Sequence, residues 1–183
     1  MKSVYEIYAE FLLGRVRFHL REETDVFHAS LASFIDAKYV ASASLSAALY
    51  ERIFTTRLIR ESANPPGFVP SQDNLAVQLQ NLRDREDEVI NRDRLGFRAI
   101  TKQLAEAGVL TSAEKQEYDT FYTDVRNPVA HGLTSRLFER FRGRAPDHPF
   151  EVDSAYESVY CSVAHTLIDK IYFLMGVRGF RKE

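Results

Sequence analysis

The stretch Asp124-Val125-Arg126-Asn127-Pro128-Val129-Ala130-His131-Gly132 is a short polar interruption between two segments that read as helices, and the rest of the chain is arranged around it. Helical residues five apart diverge by about 140° and rise about 7.5 Å, so a regular helix would not put Arg126 and His131 on one face. Pro128 has no N–H for the carbonyl of Asp124, and its ring crowds the preceding turn. Asn followed by Pro is a good helix start, with Asn127 as N-cap and Pro128 at the first helical position. That reading puts Arg126 at a junction and His131 in the first turn of the next helix, where both could turn towards one cleft.

Upstream of this stretch, Thr111-Ser112-Ala113-Glu114 is a capping-box sequence that starts a helix through Tyr118, Phe121, Tyr122 and Val125. A preceding helix carrying Leu95, Ala99, Ile100 and Leu104 is expected to stop at Gly108, a left-handed cap position. Arg83 to Arg94 is a mixed-charge run of the kind that forms solvated helix surface. Leu75, Leu79 and Leu82 mark a helix from Asp73, and Asn64 to Ser71, with three prolines and a glycine, reads as a loop. Ser30 to about Ser62 has no Gly or Pro, which predicts one long central helix, or two with a break near Ala37. Its segment Ala41 to Ala48 is dominated by small residues, which allow another helix to approach closely. At the N-terminus, Val4, Ile7, Tyr8, Phe11 and Leu12 predict an amphipathic helix to about Leu20.

Downstream, Leu133, Leu137, Phe138 and Phe141 are followed by a loop with Gly143, Pro146 and Pro149, and Ser154 to Met175 reads as a core helix. Short extended pieces are conceivable only at Phe68-Val69 and Phe150-Glu151-Val152. The expected fold is therefore all-α, a bundle of about five or six helices with a long central helix, built as a single domain over residues 1–183.

Composition narrows the function. Hydrophobic residues at 45% and charged residues at 27% are ordinary for a globular chain and unlike membrane or disordered classes. A net charge of −2 excludes an overall basic nucleic-acid binder but permits a local basic groove. One cysteine, Cys161, cannot form an internal disulfide, and the N-terminus lacks an apolar run with a cleavage site, so a cytoplasmic location without a membrane anchor is expected. None of the five histidines is spaced with Cys or another His as a metal site requires, and neither metal nor cofactor is expected.

An all-helical chain with Arg126-Asn127-x-x-x-His131 at a helix junction resembles the HEPN superfamily, whose signature is Arg-polar-x-x-x-His. Glu51 looks like the acidic residue of that family's long preceding helix. The resemblance implies metal-independent cleavage of single-stranded RNA in a cleft formed by two such domains, usually a homodimer, in a toxin or antiviral defence effector with a cognate antitoxin or regulatory protein as a partner. Leu133 stands where HEPN toxins paired with nucleotidyltransferase antitoxins often carry a tyrosine, which departs from that subgroup. The alternative within the same fold is a non-catalytic adaptor that contacts nucleotide, RNA or a partner protein.

The chemistry suits these residues. Attack by a ribose 2′-hydroxyl needs a proton removed and another delivered, work for a histidine with an unperturbed pKa of about 6.5. His131 is the candidate. The guanidinium of Arg126 could stabilise the charge on the phosphorane, and Asn127 could orient Arg126 or the phosphate. The competing structural reading has Arg126 capping carbonyls at a helix end and His131 stacked in the next helix. Arg136, Arg140 and Arg142, with Arg144, are the candidate RNA-binding residues, and Phe138 and Phe141 between them could stack on bases or be buried. Cys161, His165 and Asp169 share a helical stripe, but three groups fixed on one helix would converge poorly on a substrate atom, so a helix flank or dimer contact is expected there.

Overall fold

A computed structural model describes residues 2–63, 71–144 and 149–177. All regular structure among them is helical: α1 (Val4–Leu12), α2 (Arg21–Ile35), α3 (Tyr39–Ser62), α4 (Leu75–Asp87), α5 (Phe97–Glu106), α6 (Ser112–Phe121), α7 (Asn127–Ala130), α8 (Thr134–Arg142) and α9 (Pro149–Tyr172). Wide π-turns extend α4 over Glu88–Arg92 and α9 over Phe173–Val177, and a third, Tyr122–Arg126, joins α6 to α7. Counting α6 and α7 as one rod leaves eight helices among the described residues, more than the five or six expected. The all-α class stands.

Local signals account for most boundaries. Thr111 and Glu114 form the reciprocal capping box at the start of α6, with Thr111 N–H donating to Glu114 at 2.9 Å and Glu114 N–H to the Thr111 hydroxyl at 3.2 Å. Gly108 sits at φ 73° after α5, as its cap role requires. The break near Ala37 is real and separates α2 from α3, with Ala37 itself at φ 59°. Three boundaries differ from expectation, one of them the start of α9, which lies at Pro149 rather than near Ser154. The first helix stops at Leu12 rather than near Leu20, because Arg15 N–H turns back to the Glu10 carbonyl at 3.0 Å and closes the helix around Gly14. The second begins at Arg21, well before Ser30. Phe150-Glu151-Val152 lies within α9 and is not extended; the other extended candidate, Phe68-Val69, and most of the expected 64–71 loop fall outside the described residues.

The chain forms two compact units, Met1–Arg52 with Thr120–Glu183, and Ile53–Asp119. In the first, Ala43 and Ala47 on α3, Val125 and Val129 around the motif, Leu137 on α8 and Val163 on α9 share one buried cluster. The small residues of α3 serve two neighbours. Ala43 and Ala47 enter that core, while Ser42 and Ser46 face Ser30 on α2, all three serines being fully buried. The Ser30 hydroxyl donates to the Ser42 carbonyl at 3.1 Å and lies 2.6 Å from the Ser46 hydroxyl, so Ser46 is the donor in that second contact. Burying a Leu or Val here is worth about 1.5–3 kcal/mol each, which the small-residue face permits by letting backbones approach.

In the second unit, Phe54 packs edge-on to Phe97 and Tyr118 at 5.0 and 5.2 Å. Arg85 reaches the Ser62 hydroxyl at 2.7 Å and Gln103 at 2.9 Å, tying α4 to α3 and α5. The expected mixed-charge surface is present: Arg83, Asp84 and Glu86 are exposed, and only Val89 of this run is buried. No residue of α4 itself is buried, and its Leu75 and Leu79 are exposed.

Candidate functional site

Pro128 does not break the helix. The turn before it widens instead: Asn127 N–H bonds the Tyr122 carbonyl five residues back, and Arg126 and Asn127 keep helical angles of φ −62°, ψ −48° and φ −65°, ψ −45°. A π-turn relieves the crowding that a proline ring imposes on the carbonyl four residues earlier. The expected N-cap role of Asn127 is therefore corrected, since an N-cap needs extended backbone. The stretch is a continuous rod rather than a junction.

The rod ends one residue past Ala130. Gly132, at φ 62°, donates to the Val129 carbonyl at 3.3 Å, and Leu133 N–H to the Pro128 carbonyl at 2.8 Å. This pair of reversed bonds is a Schellman closure, which needs a residue that tolerates the left-handed region. His131 is thereby fixed as the last residue of the helix, with its N–H on the Asn127 carbonyl at 3.1 Å and its side chain exposed.

Arg126 faces the other way, into a bracket built by α3. Its Nη2 pairs with the Glu51 carboxylate, its Nε donates to the Ala47 carbonyl at 3.4 Å, and its Nη1 donates to the Tyr122 hydroxyl at 3.1 Å. The guanidinium carbon also lies 4.9 Å from the Tyr122 ring centre, a cation–π contact. Ala47 and Glu51 are one turn apart on α3, so one helix face supplies both the carbonyl and the carboxylate. Burial pushes the Tyr122 phenol above its ordinary pKa, the Glu51 charge adds to that, and Arg126 opposes it. The phenol stays protonated and neutral at ordinary pH. A guanidinium has five N–H groups. These contacts engage one on each nitrogen, which leaves one further N–H on each terminal nitrogen.

The structure thus brings Glu51 to Arg126, and it does not bring His131 to Arg126: among the described residues no hydrogen bond, ion pair or ring contact joins the motif's two ends. Tyr122 escaped the sequence reading, although its position four residues before Arg126 is the spacing at which helical side chains meet.

Arg136 and Arg140 line a separate open cleft with Thr123, Asp124, Pro128 and Glu139. Arg142, in the last turn of α8, does not line it. Phe138 is only 2% exposed and Phe141 is half-buried against the same core, so the buried reading of the phenylalanines holds over base stacking. On α9, Cys161 and His165 of the Cys161–His165–Asp169 stripe have partners outside it. His165 donates from Nε2 to the Lys2 carbonyl at 2.8 Å and stands edge-on to Phe34, while Cys161 lies beside Tyr39 and pushes its phenol pKa up.

Among the described residues no three His, Cys, Asp or Glu side chains gather where they could hold a metal ion, and no helix is long and apolar enough to cross a membrane. Comparison of the chain with known protein families, curated proteins and solved structures found no match.

Proposed function

We propose that this chain is a HEPN-like endoribonuclease that cleaves single-stranded RNA by 2′-hydroxyl attack without a metal ion, as a homodimer and in a toxin or defence role. The observation that carries the reading is the posture of Arg126: a guanidinium clamped by Glu51 and Tyr122, with one N–H to spare on each terminal nitrogen. Such a group is fixed in place before substrate arrives, which is the condition for stabilising a phosphorane without reorganisation. His131, exposed at a closed helix end, is the proton carrier. Asn127, beside Arg126 on the same rod, orients the phosphate. Arg126 and His131 do not touch within one chain, which suits a site completed by a second copy.

A non-catalytic binding module is the second reading, and the bracket also favours it, since an arginine with an acidic partner, a carbonyl and an aromatic face is equally a structural clamp. Cleavage of single-stranded RNAs in EDTA by the wild type, Arg126→Ala and His131→Ala separates the two. The nuclease reading expects loss of about 10²-fold or more in each variant. Absence of wild-type cleavage across diverse RNAs, or cleavage that persists in both variants, removes it.

A further inference from the structure

A cleft of about 320 Å³ opens in the first unit, lined by Thr123 and Asp124 from the π-turn, Pro128 from α7, and Arg136, Glu139 and Arg140 from α8. This is the small end of the range for ligand clefts, about 300–1,000 Å³. It is distinct from the Arg126 bracket, whose guanidinium turns to α3.

The charges in this cleft are held apart. Arg136 and Arg140 are one helical turn apart on α8, so both reach the same side. Glu139 is three residues from Arg136, a spacing at which helical ion pairs form, and Asp124 lines the same cleft. Arg52, Arg57, Arg85 and Arg126 all find carboxylates in this protein. Arg136 and Arg140 form no ion pair among the described residues, although two carboxylates share their cleft.

Two guanidiniums one turn apart can grip a phosphate with parallel N–H donors. The two carboxylates repel a bare phosphate, but they accept hydrogen bonds from hydroxyls attached beside one. The complementary ligand therefore carries a phosphate and adjacent hydroxyls on one small skeleton. We infer that the Thr123–Asp124–Arg136–Glu139–Arg140 cleft is a binding site for a ribose-phosphate group, with Arg136 and Arg140 on the phosphate and Asp124 and Glu139 on the sugar hydroxyls. The group could come from a free sugar phosphate or from one residue of an RNA strand. Only the second source rests on the ribonuclease reading.

The test is a titration of the full chain followed by backbone amide NMR, with ribose 5-phosphate, inorganic phosphate, an oligoribonucleotide and its deoxy counterpart as probes. Ribose 5-phosphate should shift the amides of Thr123, Asp124 and Arg136 to Arg140, and Arg136→Gln with Arg140→Gln should weaken it about tenfold or more, as expected for lost charged hydrogen bonds. Glu139→Gln should weaken ribose 5-phosphate yet strengthen inorganic phosphate, a crossover that a simple basic patch would not give. Equal binding of inorganic phosphate and ribose 5-phosphate, no shifts at these amides, or indifference to the arginine variants overturns the site. Competition by the oligoribonucleotide but not the deoxy strand assigns the site to RNA, and failure of both strands to compete assigns it to a free sugar phosphate. A protein that cleaves no RNA but still binds ribose 5-phosphate here loses the nuclease reading and keeps the cleft.

Discussion

Replacing Glu51 and Arg126 with alanine, singly and together, measures the bracket that holds the candidate arginine. The two side chains keep 30% and 15% of their exposure, which places the pair between a surface ion pair and a buried one. Exposed pairs contribute about 0.2–1 kcal/mol, and removing one partner of a buried pair costs about 3–5 kcal/mol. Arg126→Ala, which also removes the contacts to Ala47 and Tyr122, should therefore cost about 2 kcal/mol. Glu51→Ala should cost less, since the guanidinium keeps its carbonyl and phenol partners. The coupling between them should be about 1 kcal/mol in a double-mutant cycle. Urea unfolding followed by circular dichroism reads these values, and thermal melts should fall by about 4–8 °C for Arg126→Ala in a chain of this size. A coupling energy below about 0.3 kcal/mol, within the additivity of independent sites, would refute the bracket.

Three further outcomes follow from the geometry. Gly132→Ala meets no atom within 4 Å of the added carbon, so its cost is the left-handed backbone alone, about 1 kcal/mol, with Gly132→Asn losing less in the same unfolding assay. Hydrogen bonds from Lys2 and then Tyr172 hold the Glu10 carboxyl below its ordinary 4.5, so its contribution to stability is present above that value and is lost as pH falls through the depressed one. Glu10→Gln should flatten that acid limb in a pH series of melts. Leu167→Ala, at a fully buried position on α9, should cost about 2–5 kcal/mol, whereas Leu133→Ala, 38% exposed, should stay within about 0.5 kcal/mol.

What could be read from the sequence was what local chemistry decides. Thr111 with Glu114, Gly108 and the break at Ala37 each act within a turn of their own position, and each stands where it was expected. Gly14, at φ 69°, is the same kind of local signal and closes α1 well before Leu20. Pro128 illustrates the harder case. Its missing N–H was legible, yet a proline can end a helix or be absorbed by a wider turn, and packing of Val125 and Val129 in the shared core favours the second. Which way Arg126 turns depended on Ala47 and Glu51, more than seventy residues away. Likewise, the Cys161–His165–Asp169 spacing could not reveal that the Lys2 carbonyl occupies the histidine.

The central claim is that Arg126 and His131 serve a 2′-hydroxyl attack on RNA. Its most direct test is the cleavage of one oligoribonucleotide in EDTA alongside the same strand with a single 2′-deoxy substitution at the cleaved position, with product ends identified by mass spectrometry. The account predicts a 2′,3′-cyclic phosphate from the RNA, no cut at the deoxy position, and no product from His131→Ala. Cleavage that proceeds at the deoxy position, or that is unchanged in His131→Ala, would contradict it.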